Sequence, residues 1–181
     1  MRMKMFNVHM PVRLSADSMF NVSKTLLLSF ILVLFSLTSC DSSLVYNDSY
    51  PVKDLKWNQK TPYVFTTDSI VDINQGYNAY IDLRVNENYA YRNIYFFVDI
   101  EMPNKQIIRD TVNGFLQDES GNWLEDVSGF GTIKQKEFLY RRKFRLPFAG
   151  KYKFSIFQAM REENLEDVED VGFKLKTIDK E

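Results

Sequence analysis

From Tyr77 to Val85 every second residue is apolar, with Tyr77, Ala79, Ile81, Leu83 and Val85 on one side of the period and Asn78, Asp82 and Arg84 on the other. A period of two puts alternate side chains on opposite faces of a pleated strand, so this stretch predicts an antiparallel strand with one buried and one wet face. The pattern returns in 92–102, where Ile94, Phe96, Val98, Ile100 and Met102 alternate with Asn93, Tyr95, Phe97, Asp99 and Glu101 before a Pro103-Asn104 turn. That second strand is expected to be central. Shorter runs follow at 107–112, 115–117, 137–146, 152–160 and 171–175; in 137–146 Phe138, Tyr140, Phe144 and Leu146 share a face that Arg142 interrupts. Between them lies turn chemistry: Asp118 to Asn122 with Gly121, then Ser128-Gly129-Phe130-Gly131, then Pro147-Phe148-Ala149-Gly150. The acidic stretch 161–170 is the one place where a short helix is expected. Strands at this spacing, without long helical periods, predict an all-β fold: an antiparallel β-sandwich of immunoglobulin-like or jelly-roll type. Fifteen Phe and ten Tyr agree, because aromatic side chains suit a half-buried pleated surface.

The first forty residues are of another kind. Residues 25–37 form an uncharged apolar run, preceded by Lys24 and followed by Thr38, Ser39 and Cys40. The run is shorter than the roughly 20 residues a comfortable membrane-spanning helix needs, and its flanks are those of a signal peptide. Leu37-Thr38-Ser39-Cys40 resembles the lipobox of bacterial lipoproteins, and Cys40 is the chain's single cysteine. Residues 1–39 are therefore expected to be a signal peptide, with the natural start at Met19 or Met10, and Cys40 the lipidated mature N-terminus. Residues 40–62, polar and carrying Pro51 and Pro62, are expected to be a tether and edge segment ahead of one sandwich domain over 63–181. Acyl chains on Cys40 would hold the protein at a membrane.

Charge and chemistry narrow the function. The 23 basic and 24 acidic residues nearly cancel, so no broad cationic face for nucleic acid is expected. The sole histidine, His9, precedes the cleavage point, so the mature chain has neither a His nor a second Cys for a Ser-His-Asp unit, a Cys-His unit or a typical zinc site. No catalytic, cofactor-binding or metal-binding residue is assigned. The carboxylates Asp99 and Glu101, or Glu162 and Glu163, are the pairs a glycosidase would need, but they sit on a polar strand face and in a charged loop. Gly129 and Gly131 lack the Lys-Ser/Thr of a phosphate loop. The run Glu162, Glu163, Glu166, Asp167, Glu169 and Asp170 lacks EF-hand spacing and reads as a solvated loop before it reads as a calcium site. Arg141, Lys143 and Arg145 form a basic strand face suited to blocking edge association or meeting an acidic partner or lipid headgroups. Trp57 and Trp123 are candidates for a sugar-binding aromatic platform, with core packing the alternative.

Three stretches are similar to the gliding motility lipoprotein family GldH of Bacteroidota. They are Asn88 to Tyr95, Asp118 to Gly131 around Gly121-Asn122-Trp123-Leu124, and Gly150-Lys151-Tyr152 through Gln158-Ala159-Met160-Arg161 to Asp170-Val171-Gly172. The resemblance implies a non-enzymatic lipoprotein anchored in the inner or outer membrane, facing the periplasm. It also implies a role in gliding and a link to the type IX secretion machinery, with other gliding or secretion proteins as partners. The rival expectation, drawn from aromatic content and fold class, is a carbohydrate-binding lipoprotein of a glycan-uptake system.

Overall fold

The two alternating stretches become middle strands of two different sheets. A computed structural model describes residues 43–178, within one compact unit, Ser42–Glu181. Cys40 and the expected signal peptide lie outside the described residues. The strands are β1 Leu44–Pro51, β2 Trp57–Asn58, β3 Tyr63–Thr66, β4 Gly76–Asn86, β5 Asn93–Glu101, β6 Ile107–Phe115, β7 Ser128–Phe130, β8 Ile133–Arg145, β9 Lys153–Gln158, β10 Asn164–Leu165 and β11 Val168–Thr177. They form a five-stranded sheet in the order β1-β11-β4-β8-β7, a four-stranded sheet β3-β9-β5-β6 and a two-stranded ribbon β10-β2. All the pairings are antiparallel.

The period-2 residues of both stretches face each other across the sandwich. Ala79, Ile81, Leu83 and Val85 of β4 and Ile94, Phe96 and Val98 of β5 are fully buried, and Tyr77, Phe138 and Tyr152 are buried with them. Aromatic rings join the layers: Phe154 stacks on Phe173 with centroids 4.3 Å apart, and Phe96 meets Phe138 edge-on at 5.9 Å. Each such side chain contributes about 1.5–3 kcal/mol by leaving water, and the offset and edge-on geometries add to it. The layers come close at Gly114, where a Cβ would stand 2.6 Å from the Phe138 ring.

Within the expected tether and edge segment, β1 is an edge strand on β11, and Val52 and Trp57 are buried. Two other expectations do change. The acidic stretch forms no helix. Asn164 and Leu165 pair with Asn58 and Trp57, and β11 begins at Val168. Leu165 and Val168 would share a helix face, but pairing buries both without one. The basic face on β8 is broken by register shifts opposite Tyr77, Ala79 and Tyr80, with Lys143 at φ 47°. An extra residue at a bulge turns the side chains that follow to the other face, which is why Arg142 interrupted the apolar pattern.

Register also decides which loops share an end. Leu44 pairs with Lys176, Gly76 with Arg145, Thr66 with Lys153 and Glu101 with Ile107, while Ile70 bridges Gly150. One end of the sandwich therefore carries the start of β1, loops 67–75, 102–106 and 146–152, and the end of β11. The other carries loops 52–62, 87–92, 116–127 and 159–167, with the β7–β8 turn.

Candidate functional site

The outer face of the four-stranded sheet is aromatic where solvent would favour polar residues. Tyr95 and Phe97 point outward from β5, opposite Asn113 and Thr111 of β6, and Phe157 of β9 lies beside Phe97. The guanidinium of Arg109 sits 5.4 Å from the Phe97 centroid and 5.3 Å from that of Phe157. Its Nε and Nη2 donate to the two carboxylate oxygens of Asp99, each at 2.6 Å. A planar cation clamped by a fork and stacked on two rings is held in one orientation. The neighbouring β6 edge exposes Ile107, Ile108 and Phe115.

This face runs into an open groove of about 580 Å³ lined by Tyr91, Tyr95, Phe97, Thr111 and residues 159–162. Its wall is set from below by one buried amide. Gln158 is fully buried at the end of β9; its Oε1 accepts from Met160 N–H at 2.8 Å and its Nε2 donates to the carbonyls of Glu162 at 2.8 Å and Trp57 at 3.4 Å. Gln59 Nε2 donates to the Met160 carbonyl at 2.9 Å, and Tyr95 N–H points at the Met160 sulfur at 3.3 Å. Across the groove, Tyr91 stands edge-on to Tyr89 at 5.8 Å. A hydrogen bond to the Glu162 carboxylate pushes the Tyr91 phenol above its ordinary value. Burial pushes Tyr89 up as well, its hydroxyl donating to the Asn93 carbonyl at 3.1 Å. Both phenols therefore stay protonated donors at neutral pH.

The carboxylates singled out from the sequence are engaged. Asp99 holds Arg109, Glu101 holds Lys105 and Lys153, and Glu163 meets Lys60 at 3.4 Å. The two lysines keep the Glu101 carboxyl below its usual range. Glu166 pairs with Lys56 at 2.8 Å and Asp170 with Arg84 at 2.7 Å, so the acidic run is distributed over several cations. Among the described residues no cluster of three acidic, His or Cys side chains could hold a metal ion. Arg141 turns to Asp110 on β6, with Nη2 at 2.7 Å, and Tyr140 donates to the same carboxylate, tying the two sheets together at their open side. Gly129 and Gly131 serve the β7–β8 turn, whose Phe130 is 95% exposed.

Trp57 forms no sugar platform. It is 1% exposed and donates through Nε1 to the Thr61 carbonyl at 2.9 Å, while Trp123 is half-buried against the core. The groove residues Tyr91, Tyr95, Met160 and Arg161 were not singled out as a site from the sequence. A polar Gln158 closing an apolar alternation was the available signal, since an amide at an inward position needs partners that a turn can supply.

A family model described as GldH lipoprotein matches residues 44–175. The gliding motility lipoprotein GldH homolog of Christiangramia forsetii is 32% identical over 157 residues, covering 83% of this chain and 93% of that protein. The gliding motility lipoprotein GldH of Flavobacterium johnsoniae is 33% identical over 164 residues, covering 87% and 97%. Among solved structures, an infectious bursal disease virus protein aligns with 77% of this chain and 33% of its own at 14% identity and a TM-score of 0.32, a level that carries no inference about binding.

Proposed function

Since the chain belongs to the GldH lipoprotein family, we propose that it is a non-enzymatic part of the gliding machinery. In this reading acyl chains on Cys40 hold it at a cell membrane, facing the periplasm, and it works with type IX secretion by binding other proteins of the envelope. The observation that carries the interaction mode is the outer face of the four-stranded sheet. There, an exposed Tyr95, the half-buried rings of Phe97 and Phe157 under an oriented Arg109, and the β6 edge adjoin an open groove. Rigid aromatics around an oriented arginine are the usual anchors of protein interfaces, and an edge strand can accept another strand. The absence of catalysis is supported by a mature sequence without His and by carboxylates held in ion pairs.

Photo-crosslinking from position 95 in native membranes, followed by mass spectrometry, tests this reading. Gliding or type IX components should be captured, and capture should be lost on Phe97→Ala with Arg109→Ala. Recovery of glycan-uptake proteins, or binding of the protein to a glycan array, would reassign it to the carbohydrate class. Normal surface spreading and secretion in a clean deletion would remove the motility role altogether.

A further inference from the structure

The sandwich is electrically polar along its strands, and its basic end is the end that follows the anchor. At the β1-start end, residues 67–76, 101–107, 142–153 and 176–178 hold seven basic side chains (Lys105, Arg142, Lys143, Arg145, Lys151, Lys153 and Lys176) against Asp68, Asp72 and Glu101. At the opposite end, residues 52–62, 86–92, 116–132 and 158–170 hold twelve acidic side chains against five basic ones. The near-zero net charge of the whole chain hides this separation.

The basic end also exposes apolar side chains. Val71 is 83% exposed, Ile107 63%, Ile73 44%, Leu44 41% and Phe148 39%. Val71 and Ile73 flank Asp72 in a tight turn, where Gln75 N–H donates to the Asp72 carbonyl at 3.2 Å and Asn74 N–H to its carboxylate at 2.9 Å. The turn thus holds both apolar tips outward beside the cations.

Four residue steps separate Cys40 from Leu44, a reach of at most about 14 Å, whereas the 13 residues of β8 span roughly 40 Å. An acyl group on Cys40 therefore keeps the basic end near the bilayer while leaving the domain's tilt open. We infer that this end docks on anionic phospholipid headgroups, its cations against the phosphates and Val71, Ile73, Ile107 and Phe148 at the interface, so that the domain stands end-on with its acidic loops directed away from the membrane. The inference rests on acylation at Cys40, which belongs to the function proposed above. Each basic residue close to an anionic surface favours docking about fivefold, and the attraction fades within a Debye length, about 8 Å at physiological salt.

The test uses the purified lipoprotein reconstituted in vesicles of phosphatidylethanolamine with phosphatidylglycerol, or of phosphatidylcholine alone. A single environment-sensitive label is placed at Val71→Cys or Glu119→Cys; the acylated Cys40 does not react. Intact mass measures the acyl chains first. On anionic vesicles the Val71→Cys label should be shielded from a water-soluble quencher and the Glu119→Cys label open. Shielding should fall with salt, and the docked-to-free ratio should drop on the order of a hundredfold in Arg142→Gln/Arg145→Gln/Lys151→Gln, all three positions being exposed. Equal access at both labels in fully acylated protein overturns the docking and leaves the anchor standing. So does the same shielding on phosphatidylcholine alone. Protein recovered without acyl chains overturns both.

Discussion

Replacing Gln158 by Leu removes the amide that holds the groove wall while nearly conserving volume. Two good hydrogen bonds vanish, from Met160 N–H and to the Glu162 carbonyl, together with the longer one to Trp57. A buried backbone group left without a partner costs about 1–3 kcal/mol, and the apolar side chain regains part of this, so a net loss of about 2–4 kcal/mol is expected. With a urea m-value of roughly 2 kcal/mol per molar, the midpoint of residues 42–181 should fall by about 1–2 M, followed by fluorescence of the adjacent Trp57. Amide exchange should quicken at Met160 while β4 amides follow only the global loss. Gln158→Glu sharpens the reasoning. It keeps the acceptor for Met160 but sets a carboxylate against carbonyl oxygens, which favours its protonated form and raises its folded-state pKa. Its stability should therefore be greatest in acid and decline as pH rises from the ordinary carboxylate range through that raised value. An unchanged midpoint and m-value for Gln158→Leu would refute the claim that this amide organises the 159–162 wall.

Three other outcomes follow from the packing. Burial holds the Asp82 carboxyl above its ordinary range, and its Oδ1 has no hydrogen-bond partner among the described residues; the folded state therefore binds the proton more tightly, and stability falls as pH rises from the ordinary value through the raised one. Asp82→Asn should abolish that segment of the pH–stability curve, as read by thermal melts across acid pH. Gly114→Ala pushes a methyl into the Phe138 ring and should cost about 1–3 kcal/mol in denaturant unfolding. Trp57→Ala empties a core position and should cost about 3–5 kcal/mol, lowering the melting temperature; a variant that melts like the parent would contradict its placement.

Much of the architecture was legible because a strand's facing is a local property. The alternations at 77–85 and 92–102 named the buried face of β4 and β5 residue by residue, and the Asp118–Asn122 segment announced its turn through residue types that bond their own backbone: the Asp118 carboxylate accepts from Ser120 and Asn122 N–H groups. The family, too, could be recognised from short stretches before any contact was known. Other features depend on what lies opposite. Leu165 and Val168 fit a helix or a ribbon equally well until Trp57 and Asn58 supply hydrogen-bond partners. The break in the β8 pattern has its cause in register against β4, and Trp57 reads as platform or core depending on whether a layer covers it.

The sequence by itself determined the all-β class, the apolar faces and the family, because periodicity and turn chemistry act over a few neighbouring residues. Only the tertiary structure decided that Tyr91, Tyr95, Phe97, Met160 and Arg161 share one groove and that cations and carboxylates scattered along a nearly neutral chain separate to opposite ends. Both depend on strand order and register, which are chosen by the free energy of bringing distant segments together and leave no mark on any one of them.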